Sequence, residues 1–352
     1  MIFSKTTVFA AFFAAMALLP PPVVAQQIDP FENGWTLDAE ASQLRFMSIK
    51  KDTIAETSEF ATISGLINAD GKAQIRVLMD SVDTNIDLRN VRMRFLFFET
   101  FKFPEATITV TLEPDALRDL HAVRRKMVPV DYLVALHGAE FASSAEVAVT
   151  LISNDRVNVS TTNPIALSLT DFNLEEGRQK LMEAAQVDIV PVGLVSFDFV
   201  FDRASPGTPP PQLATAPAGA SAALETSGAF DREACLGRFE ILSKAGNINF
   251  NAGSARLTAD SNALLDNLYD IVSRCPDLML EIGGHTDADG SDATNMALSE
   301  RRAGAVAAWL RNKGIPAARM TVVGYGESRP LRPNDSAENK ARNRRIEFTA
   351  LN

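Results

Sequence analysis

The spacing of apolar and polar positions changes once along the chain. In the first part apolar residues alternate with polar ones, as at Ile75, Val77 and Met79. A repeat of two residues is typical of strands with one buried face. Strands are predicted over residues 43–49, 59–68, 73–82, 106–112, 128–137, 145–152, 156–161 and 187–201, with a helix and loop at 84–104. About eight strands joined by short turns favour an antiparallel barrel or sandwich.

After residue 230 the spacing becomes helical. Apolar residues at 264, 265, 268, 271 and 272 fall on one face of a predicted helix. Helices are predicted over residues 230–245, 258–274 and 292–312, and strands over 247–250, 278–282, 320–325 and 345–349. This alternation predicts an α/β domain whose helices pack on one small sheet.

Two segments fall outside these patterns. Lys5 precedes an uncharged run at 8–19 and small residues up to Ala25, which is typical of a signal peptide cleaved after residue 25. Its apolar run is too short to cross a bilayer, which needs about 20 residues, so we expect no transmembrane segment in the mature chain. Residues 204–229 contain five prolines among small residues, as linkers do. The expected domains are therefore 28–203 and 230–352.

The composition narrows the class of protein. The chain has 352 residues, of which 46% are hydrophobic and 22% charged, and this is typical of globular domains. Its 34 basic and 44 acidic residues give a net charge of −10, which argues against nucleic acid as a partner. Residues 230–352 hold 16 basic and 16 acidic residues, so the acidity lies in the first part.

The cysteines and histidines suggest a structural bridge and no metal. Cys235 and Cys275 fit an oxidising compartment, where a disulfide is favoured over two buried free thiols. The three histidines are His121, His137 and His285, and none lies at ligand spacing from a cysteine. We therefore expect no metal site.

The first part resembles the YceI family. The shared positions are Trp35, Leu37, Asp38, Ser42, Phe46, Gly65, Ser81, Asp83, Thr84, Arg89, Phe97, Phe98, Phe101 and Pro104. The resemblance implies an eight-stranded, lipocalin-like barrel that encloses a polyisoprenoid or a similar amphiphile, such as a fatty-acid-like lipid. Departures from the family pattern include Asn90 and Met93.

Aromatic residues are the candidates for lining such a barrel. The candidate lipid-binding residues are Phe46, Phe95, Phe97, Phe98 and Phe101. An ordinary core beneath a helix explains the same cluster, because an eight-stranded barrel is just wide enough to be filled or to hold one small ligand. Arg89, Arg92 and Arg94 either offer cations to a lipid phosphate or form a solvated charged face.

A charged pocket is predicted in the second domain. Asp287 follows a predicted strand, and Asn295 and Arg302 recur on one face of the next helix. A carboxylate and a guanidinium brought together in this way suit a zwitterion.

This segment resembles the OmpA-like peptidoglycan-binding domain. The shared positions are Gly284, His285, Thr286, Asp287, Gly290, Asn295, Leu298, Ser299, Arg302, Ala303, Val306, Leu310, Gly324, Gly326, Glu327, Pro330, Asn334, Asn343, Arg344, Arg345 and Glu347. The resemblance implies that Asp287 and Arg302 hold the amine and the carboxylate of the diaminopimelate side chain in the peptide stem. Thr286, Asn295 and Arg345 are further candidates.

Other interpretations of these residues remain open. Asp287, Asp289 and Asp292 resemble a calcium loop, but the twelfth position is Leu298 and not the Glu that such loops use. Arg302 could instead form a salt bridge that holds the loop to the helix. His285 could be a base, although no nucleophile is evident at a suitable position.

Together these features predict an exported envelope protein that is not an enzyme and has no cofactor. Its expected partners are peptidoglycan and an amphiphilic lipid, and its expected location is the periplasm, at the wall of a Gram-negative-type envelope. One alternative is a structural, wall-tethered interaction module with a filled barrel. Another is an envelope enzyme acting on lipid or wall, with His121 or His137 as its base.

Overall fold

The computed structural model describes residues 29–206, 228–245, 248–251 and 253–351. The predicted signal peptide at 1–25 lies outside these ranges, and so do residues 207–227 of the predicted linker. No helix in the described part of the chain is long and apolar enough to cross a membrane.

The N-terminal domain consists mainly of strands. They are β1 (Trp35–Leu37), β2 (Gln43–Lys50), β3 (Ile54–Phe60), β4 (Ile63–Ile67), β5 (Lys72–Leu78), β6 (Val82–Asp83), β7 (Glu105–Thr111), β8 (Arg125–Leu136), β9 (Ala139–Ser153), β10 (Arg156–Thr161), β11 (Ile165–Ser168) and β12 (Ile189–Arg203). The helices are α1 (Asp87–Arg92), a π-helix that continues it (Met93–Phe97), α2 (Pro114–Leu117), α3 (Leu120–Val123) and α4 (Glu175–Ala185).

Eight antiparallel strands close into a barrel. Their order around the ring is β1, β4, β5, β7, β8, β9, β10 and β12, and β12 pairs again with β1. β12 is 15 residues long, so it also pairs with β2 and β11, and β3 and β6 extend the sheet beyond β2. The predicted lipocalin-like barrel is confirmed. The strand predicted at 59–68 is instead the end of β3 and all of β4.

The alternation of buried and exposed residues along each strand determines which side chains face the barrel interior. In β8 the side chains of Val128, Val130, Tyr132 and Val134 are buried, while those between them are exposed. The strand then turns at His137, where φ is +50°, and Gly138, where φ is +73°. Two positive φ angles are typical of a two-residue hairpin turn, because they match the twist of the strands.

The C-terminal domain packs helices on a small mixed sheet. Its elements are α5 (Arg232–Ala245), α6 (Asn262–Arg274), β13 (Met279–His285), α7 (Asp292–Asn312), β14 (Met320–Gly326), α8 (Ala337–Asn343) and β15 (Ile346–Leu351). Central β13 is parallel to β14 and antiparallel to β15. The α/β prediction is confirmed, but in place of the strand predicted at 247–250 the described residues form an isolated bridge between Phe250 and Leu257.

Two glycines bring α7 close to the sheet. A Cβ atom on Gly284 would lie 2.1 Å from the carbonyl oxygen of Ser299, and one on Gly324 would lie 2.8 Å from the amide nitrogen of Glu300. Real Cβ atoms do not approach so closely, so only glycine permits this packing. The contact fixes the height of α7 along β13, and therefore the position of Arg302 relative to the strand end.

A disulfide fastens α5 to the rest of the C-terminal domain. It joins Cys235 in α5 to Cys275, which follows α6, across 40 positions of sequence. Both cysteines are 1% exposed. Ser243 adds a second attachment, because its hydroxyl donates to the carbonyl of Phe348 in β15 and accepts from the amide of the same residue.

Candidate functional site

Asp287 lies just beyond the end of β13 and is 7% exposed. Its Oδ2 accepts a hydrogen bond from Nη1 of Arg344 at 2.5 Å, and its Oδ1 accepts one from the amide of Asp289 at 3.2 Å. A carboxylate this buried needs hydrogen bonds of this kind, because burial removes its contact with water. The strand end therefore presents a fixed negative charge paired with one arginine.

Arg302 approaches the same place from α7. Its Nε donates to the carbonyl of Ser254 at 3.0 Å, and its guanidinium lies 5.1 Å from the ring centre of Phe250. Burial, and then the charge of Arg344, lower the pKa of Arg302, while the charge of Asp287 partly offsets this. Within the described residues, its terminal nitrogens have no acceptor and it forms no ion pair with Asp287. The guanidinium of Arg302 thus gives the pocket a positive charge and terminal N–H groups that are not used by other described residues.

Two further predicted residues lie beside this pair. Thr286 is 4% exposed, and its hydroxyl has no hydrogen-bond partner in the part of the chain that the structure describes. Asn295 donates to the carbonyl of Asp287 at 3.2 Å and to Oε2 of Glu327 at 2.5 Å. Asn295 therefore positions the acidic loop, whereas the Thr286 hydroxyl is a buried polar atom without a partner among the described residues.

Arg345, the fifth candidate, does not reach Asp287. Its guanidinium bonds Oε2 of Glu347 at 2.9 Å and the carbonyl of Arg329 at 3.3 Å. Arg344 and Arg345 directly precede β15, and adjacent side chains of an extended chain point to opposite sides, so only one of the two faces Asp287. That residue is Arg344. Arg344 belongs to the same motif as Arg345. Arg345 lies on the same side of the chain as Glu347, two residues later, so the alternation could have identified Arg344 as the residue on the other side.

His285 has structural partners in place of reactive ones. It is 3% exposed, stacks on Tyr325 with ring centres 5.1 Å apart, and lies with Nε2 3.3 Å from Oε2 of Glu347. Hydrogen bonding from His285, opposed by burial and assisted by Arg345, lowers the pKa of Glu347 to about 2. The histidine is enclosed in a charged and aromatic contact behind the pocket.

Basic side chains hold the acidic loop, which contains Asp287 and Asp289, to the rest of the domain. Asp289 pairs with Lys340 at 2.7 Å, and Asp287 with Arg344. In the described residues no group of three or more His, Cys, Asp or Glu side chains is arranged to hold a metal ion. The loop resembles a calcium loop in sequence, but two of its carboxylates face basic side chains.

The barrel encloses a cavity of about 700 Å³. Its walls are inward-facing strand residues such as Ile75, Val77, Val130 and Val134. This size is within the usual range of small-molecule pockets, which is about 300–1,000 Å³, and the lining is apolar as such pockets are. The barrel is therefore not filled by its own side chains.

Three of the five candidate phenylalanines line this cavity. They are Phe46, Phe97 and Phe98, and Phe98 meets Phe46 edge to face with ring centres 6.3 Å apart. Phe95 and Phe101 are not among the lining residues, since they stack on each other with ring centres 6.4 Å apart. Residues 95–101 therefore direct Phe97 and Phe98 toward the cavity and Phe95 and Phe101 elsewhere, which the sequence pattern did not separate.

Charged side chains gather at one end of the cavity. Glu56 accepts from Lys50 at 2.5 Å and from Arg89 at 2.9 Å, and all three line the cavity. Arg92 lines it as well. Arg94 is 9% exposed and directs its Nε to the carbonyl of Asn90, so it is not part of this rim.

Comparison with known proteins divides the chain at the same place. Residues 35–195 match the model of the YceI-like domain, and residues 249–344 match the model of the OmpA family. The chain carries a YceI-like domain followed by an OmpA-family domain. The first match contains the three phenylalanines of the cavity, and the second contains Asp287, Arg302 and Arg344 but ends before Arg345.

Individual relatives match one domain each. Outer membrane porin F of Pseudomonas aeruginosa is 39% identical over 118 residues, which are 33% of this chain and 34% of the relative. Peptidoglycan-binding protein ArfA of Mycobacterium tuberculosis is 36% identical over 98 residues, 28% of this chain and 30% of the relative. The chain thus spans about a third of the length of these curated relatives. A polyisoprenoid-binding domain from Saccharophagus degradans is 33% identical with a TM-score of 0.45, covering 48% of this chain and 98% of that one.

The histidines of the YceI-like domain lie apart from its cavity lining. His121 is exposed on α3. His137 is in the hairpin turn after β8, where its ring lies 4.2 Å from that of Phe103 and its Nε2 lies 3.4 Å from Glu99. Burial opposes the ionisation of Glu99, but hydrogen bonds from His137 and Lys102 outweigh it and lower the pKa of Glu99 to about 2. His137 stabilises a turn.

Proposed function

We propose that this protein is an exported, non-enzymatic binding protein of the cell envelope that attaches noncovalently to peptidoglycan and carries an amphiphile in its barrel. The proposal for the wall rests on one observation above all. Arg302 is held at the pocket with unused donors, beside the buried carboxylate of Asp287 and the unpartnered hydroxyl of Thr286.

The ligand we assign to this pocket is the diaminopimelate side chain of the stem peptide. That side chain ends in an ammonium and a carboxylate on one carbon. Arg302 would bind the carboxylate through its planar fork, and Asp287 would accept from the ammonium. Arg344 already bonds Asp287 at 2.5 Å, so the ammonium must share that carboxylate.

Sedimentation with purified sacculi tests the wall site. Charge-assisted hydrogen bonds contribute about 1.5–3 kcal/mol each, so Arg302→Met should weaken binding about 10- to 100-fold. Arg301 is the matched control, because it is exposed on the same helix. If Arg302→Met and Asp287→Ala pellet with sacculi as well as Arg301→Met does, the assigned site is wrong.

Sacculi with lysine in place of diaminopimelate test the ligand itself. Lysine retains the ammonium but lacks the terminal carboxylate that Arg302 would bind. Wild-type protein should bind such sacculi about 10-fold more weakly, and Arg302→Met should then have little further effect. An equal loss on both kinds of sacculi would show that Arg302 acts on another group.

For the barrel, the cavity is the supporting observation. An apolar space of about 700 Å³ with Lys50, Arg89 and Arg92 at one end fits a hydrocarbon chain with an anionic head, such as an isoprenoid phosphate or a fatty acid. Native mass spectrometry after gentle purification should show a bound lipid mass. Protein that emerges ligand-free, and that also fails to take up added lipid, would contradict the carrier role.

A periplasmic location at the wall of a Gram-negative-type envelope follows from the proposed ligands. Peptidoglycan of the diaminopimelate type is accessible there, and an oxidising compartment suits the disulfide at Cys235 and Cys275. Fractionation of cells that express the full-length chain should recover it with the wall fraction, with residues 1–25 removed. Retention of the chain in the cytoplasm would contradict export.

A further inference from the structure

Helix α5 of the C-terminal domain also contacts the barrel. It belongs firmly to its own domain through the Cys235–Cys275 disulfide and the bonds between Ser243 and Phe348. Along its length it also packs on α1 and on the π-helix at Met93–Phe97. One helix therefore connects the wall-binding domain to the N-terminal domain.

Gly237 of α5 lies close to Leu88 of α1. A Cβ atom on Gly237 would lie 2.8 Å from Cδ1 of Leu88, and the next nearest atoms also belong to Leu88. Leu88 lines the barrel cavity as well. A single side chain in α1 thus touches the cavity and the C-terminal domain together.

This region is the mouth of the cavity. The lining residues that are exposed to solvent include Lys51 and Ile54 after β2, Ile86 before α1, and Ala185 and Gln186 at the end of α4. They surround α1. A ligand would pass between the tip of the β2–β3 hairpin, α1 and the end of α4.

A second contact holds the C-terminal domain to the same mouth. Arg332 pairs with Glu183 of α4 at 3.4 Å. In turn α4 lies against the π-helix, because a Cβ atom on Gly177 would lie 2.6 Å from the carbonyl oxygen of Phe97. The two mouth helices are therefore both in contact with the C-terminal domain, at Leu88 and at Glu183.

We propose that α5 is the outer support of the barrel mouth, so that an amphiphile enters and leaves by moving α1 away from α5, and that barrel occupancy is coupled to docking of the C-terminal domain. The proposal rests on the carrier role proposed above. Coupling of this kind is reciprocal for affinities: if docking tightens ligand binding, then bound ligand strengthens docking to the same extent.

Release of a fluorescent lipid from the full-length chain tests whether α5 supports the barrel mouth. The probe is dansyl-undecanoic acid, and its dissociation is followed by stopped-flow fluorescence. Gly237→Leu would wedge α5 away from Leu88 and should speed release about tenfold, which corresponds to about 1.4 kcal/mol. Gly304→Leu is the control, because a Cβ atom there meets nothing within 4 Å and the change in helix propensity is the same.

The outcomes separate the two proposals. If wild type binds the probe and both variants release it at the wild-type rate, the coupling is wrong while the carrier role stands. If wild type binds neither the probe nor an isoprenoid phosphate, the carrier role fails and the coupling fails with it.

A charge exchange provides a variant that does not disturb packing. Glu183 and Arg332 are 69% and 44% exposed, so reversing either charge should leave the fold intact. Arg332→Glu should speed probe release about twofold by repulsion, and adding Glu183→Arg should restore the wild-type rate. A double variant that remains as fast as the single one would contradict a direct contact between the domains at the mouth.

Hydrogen exchange supplies a readout of docking itself. Bound probe should slow amide exchange in peptides from 232–245 in wild type and in Gly304→Leu, since ligand and docking stabilise each other. The effect should disappear in Gly237→Leu. Exchange in α5 that is unaffected by the probe in wild type would overturn the proposal.

Discussion

The barrel cavity and the pocket at Asp287 differ in what lines them. The cavity is an apolar space of about 700 Å³ that the barrel interior encloses, with charges only at its rim. The pocket is a few polar atoms at one strand end, where Arg344 bonds Asp287 and the charges of both act on Arg302. Apolar burial contributes about 0.8 kcal/mol per CH₂ group without direction, whereas charged hydrogen bonds depend on geometry. We therefore expect the cavity to select a ligand by size and the pocket to select one by the arrangement of its polar groups.

The two domains also differ in what stabilises them. The barrel closes on itself by hydrogen bonds from strand to strand, so every strand of the ring has two neighbours. The C-terminal sheet has three strands in the described residues, with β14 and β15 as edge strands, and it depends on its helices and on the disulfide. Each domain contains one tryptophan, Trp35 or Trp309, so their unfolding can be followed separately.

The largest expected difference concerns the disulfide. Cross-links of this loop length stabilise proteins by about 4 kcal/mol in the chain-entropy model. The Cys235→Ala/Cys275→Ala variant should therefore lower the urea midpoint reported by Trp309 strongly, and that of Trp35 much less. The Trp309 transition is measured in the Trp35→Phe background, and the Trp35 transition in the Trp309→Phe background. Equal shifts in both transitions would show that the domains unfold as one unit.

Acid should weaken both domains through one carboxylate each. The pKa values of Glu99 and Glu347 are lowered to about 2 in the folded protein, from an ordinary value of 4.5. Their stabilisation is therefore complete above about pH 4.5 and is lost as the pH falls toward 2. For Glu99, which is 15% exposed, the loss should be about 3 kcal/mol.

Thermal unfolding as a function of pH checks this, with one variant for the barrel. Glu99→Gln should lower the melting temperature at pH 7 and make the Trp35 transition less sensitive to acid. Glu113→Gln is the control, since that carboxyl is exposed before α2. A Glu99→Gln variant that keeps the full acid sensitivity of wild type would exclude Glu99 as its source.

Filling the cavity should affect only the barrel ligand. Ala145 lines the cavity from β9, and Ala142 is exposed on the same strand. Ala145→Trp should weaken binding of dansyl-undecanoic acid about tenfold, because the added ring occupies the space of the chain. Ala142→Trp should bind normally, and both should pellet with sacculi like wild type. Undiminished probe binding by Ala145→Trp would place the probe outside the barrel.

The smallest expected effect is that of salt. Ionic strength screens partly exposed charges, with a Debye length of about 10 Å at 0.1 M and about 3 Å at 1 M. Binding to sacculi should therefore fall severalfold between these concentrations, whereas probe binding in the cavity should stay constant or strengthen. Measuring sacculus binding and probe binding on one protein preparation tests this difference in salt dependence directly. A parallel loss of the two activities would mean that charges at the rim dominate lipid binding.

Hydrophobic spacing, together with the family resemblance, was sufficient for the architecture. The repeat of two residues predicted an antiparallel barrel or sandwich, the family resemblance chose the eight-stranded barrel, and the helical repeat predicted helices on a small sheet. The hydrophobic spacing predicted one strand where β3 ends and β4 begins, and it did not predict helix α4. Gly177 in that helix contacts the π-helix, a contact between segments 80 residues apart that local spacing does not encode.

Motifs likewise identified most of the candidate site, and their limits have a physical cause. Asp287, Arg302, Thr286 and Asn295 lie near one another in the structure, because strand end and helix face are local properties, and their role in binding stays a prediction. Whether Arg344 or Arg345 faces Asp287 depended on how β15 pairs with β13, and that pairing joins distant parts of the chain.

The sequence by itself determined two domains, their fold classes and the residue types at each site. Local periodicity and motif chemistry carry that information, because neighbouring residues share one helix or strand. Only the tertiary structure decided that the barrel is hollow, which phenylalanines face the space, and that Leu88 lies between the cavity and Gly237. Those features depend on how separate elements pack, and the volume left between them is a property of no single segment.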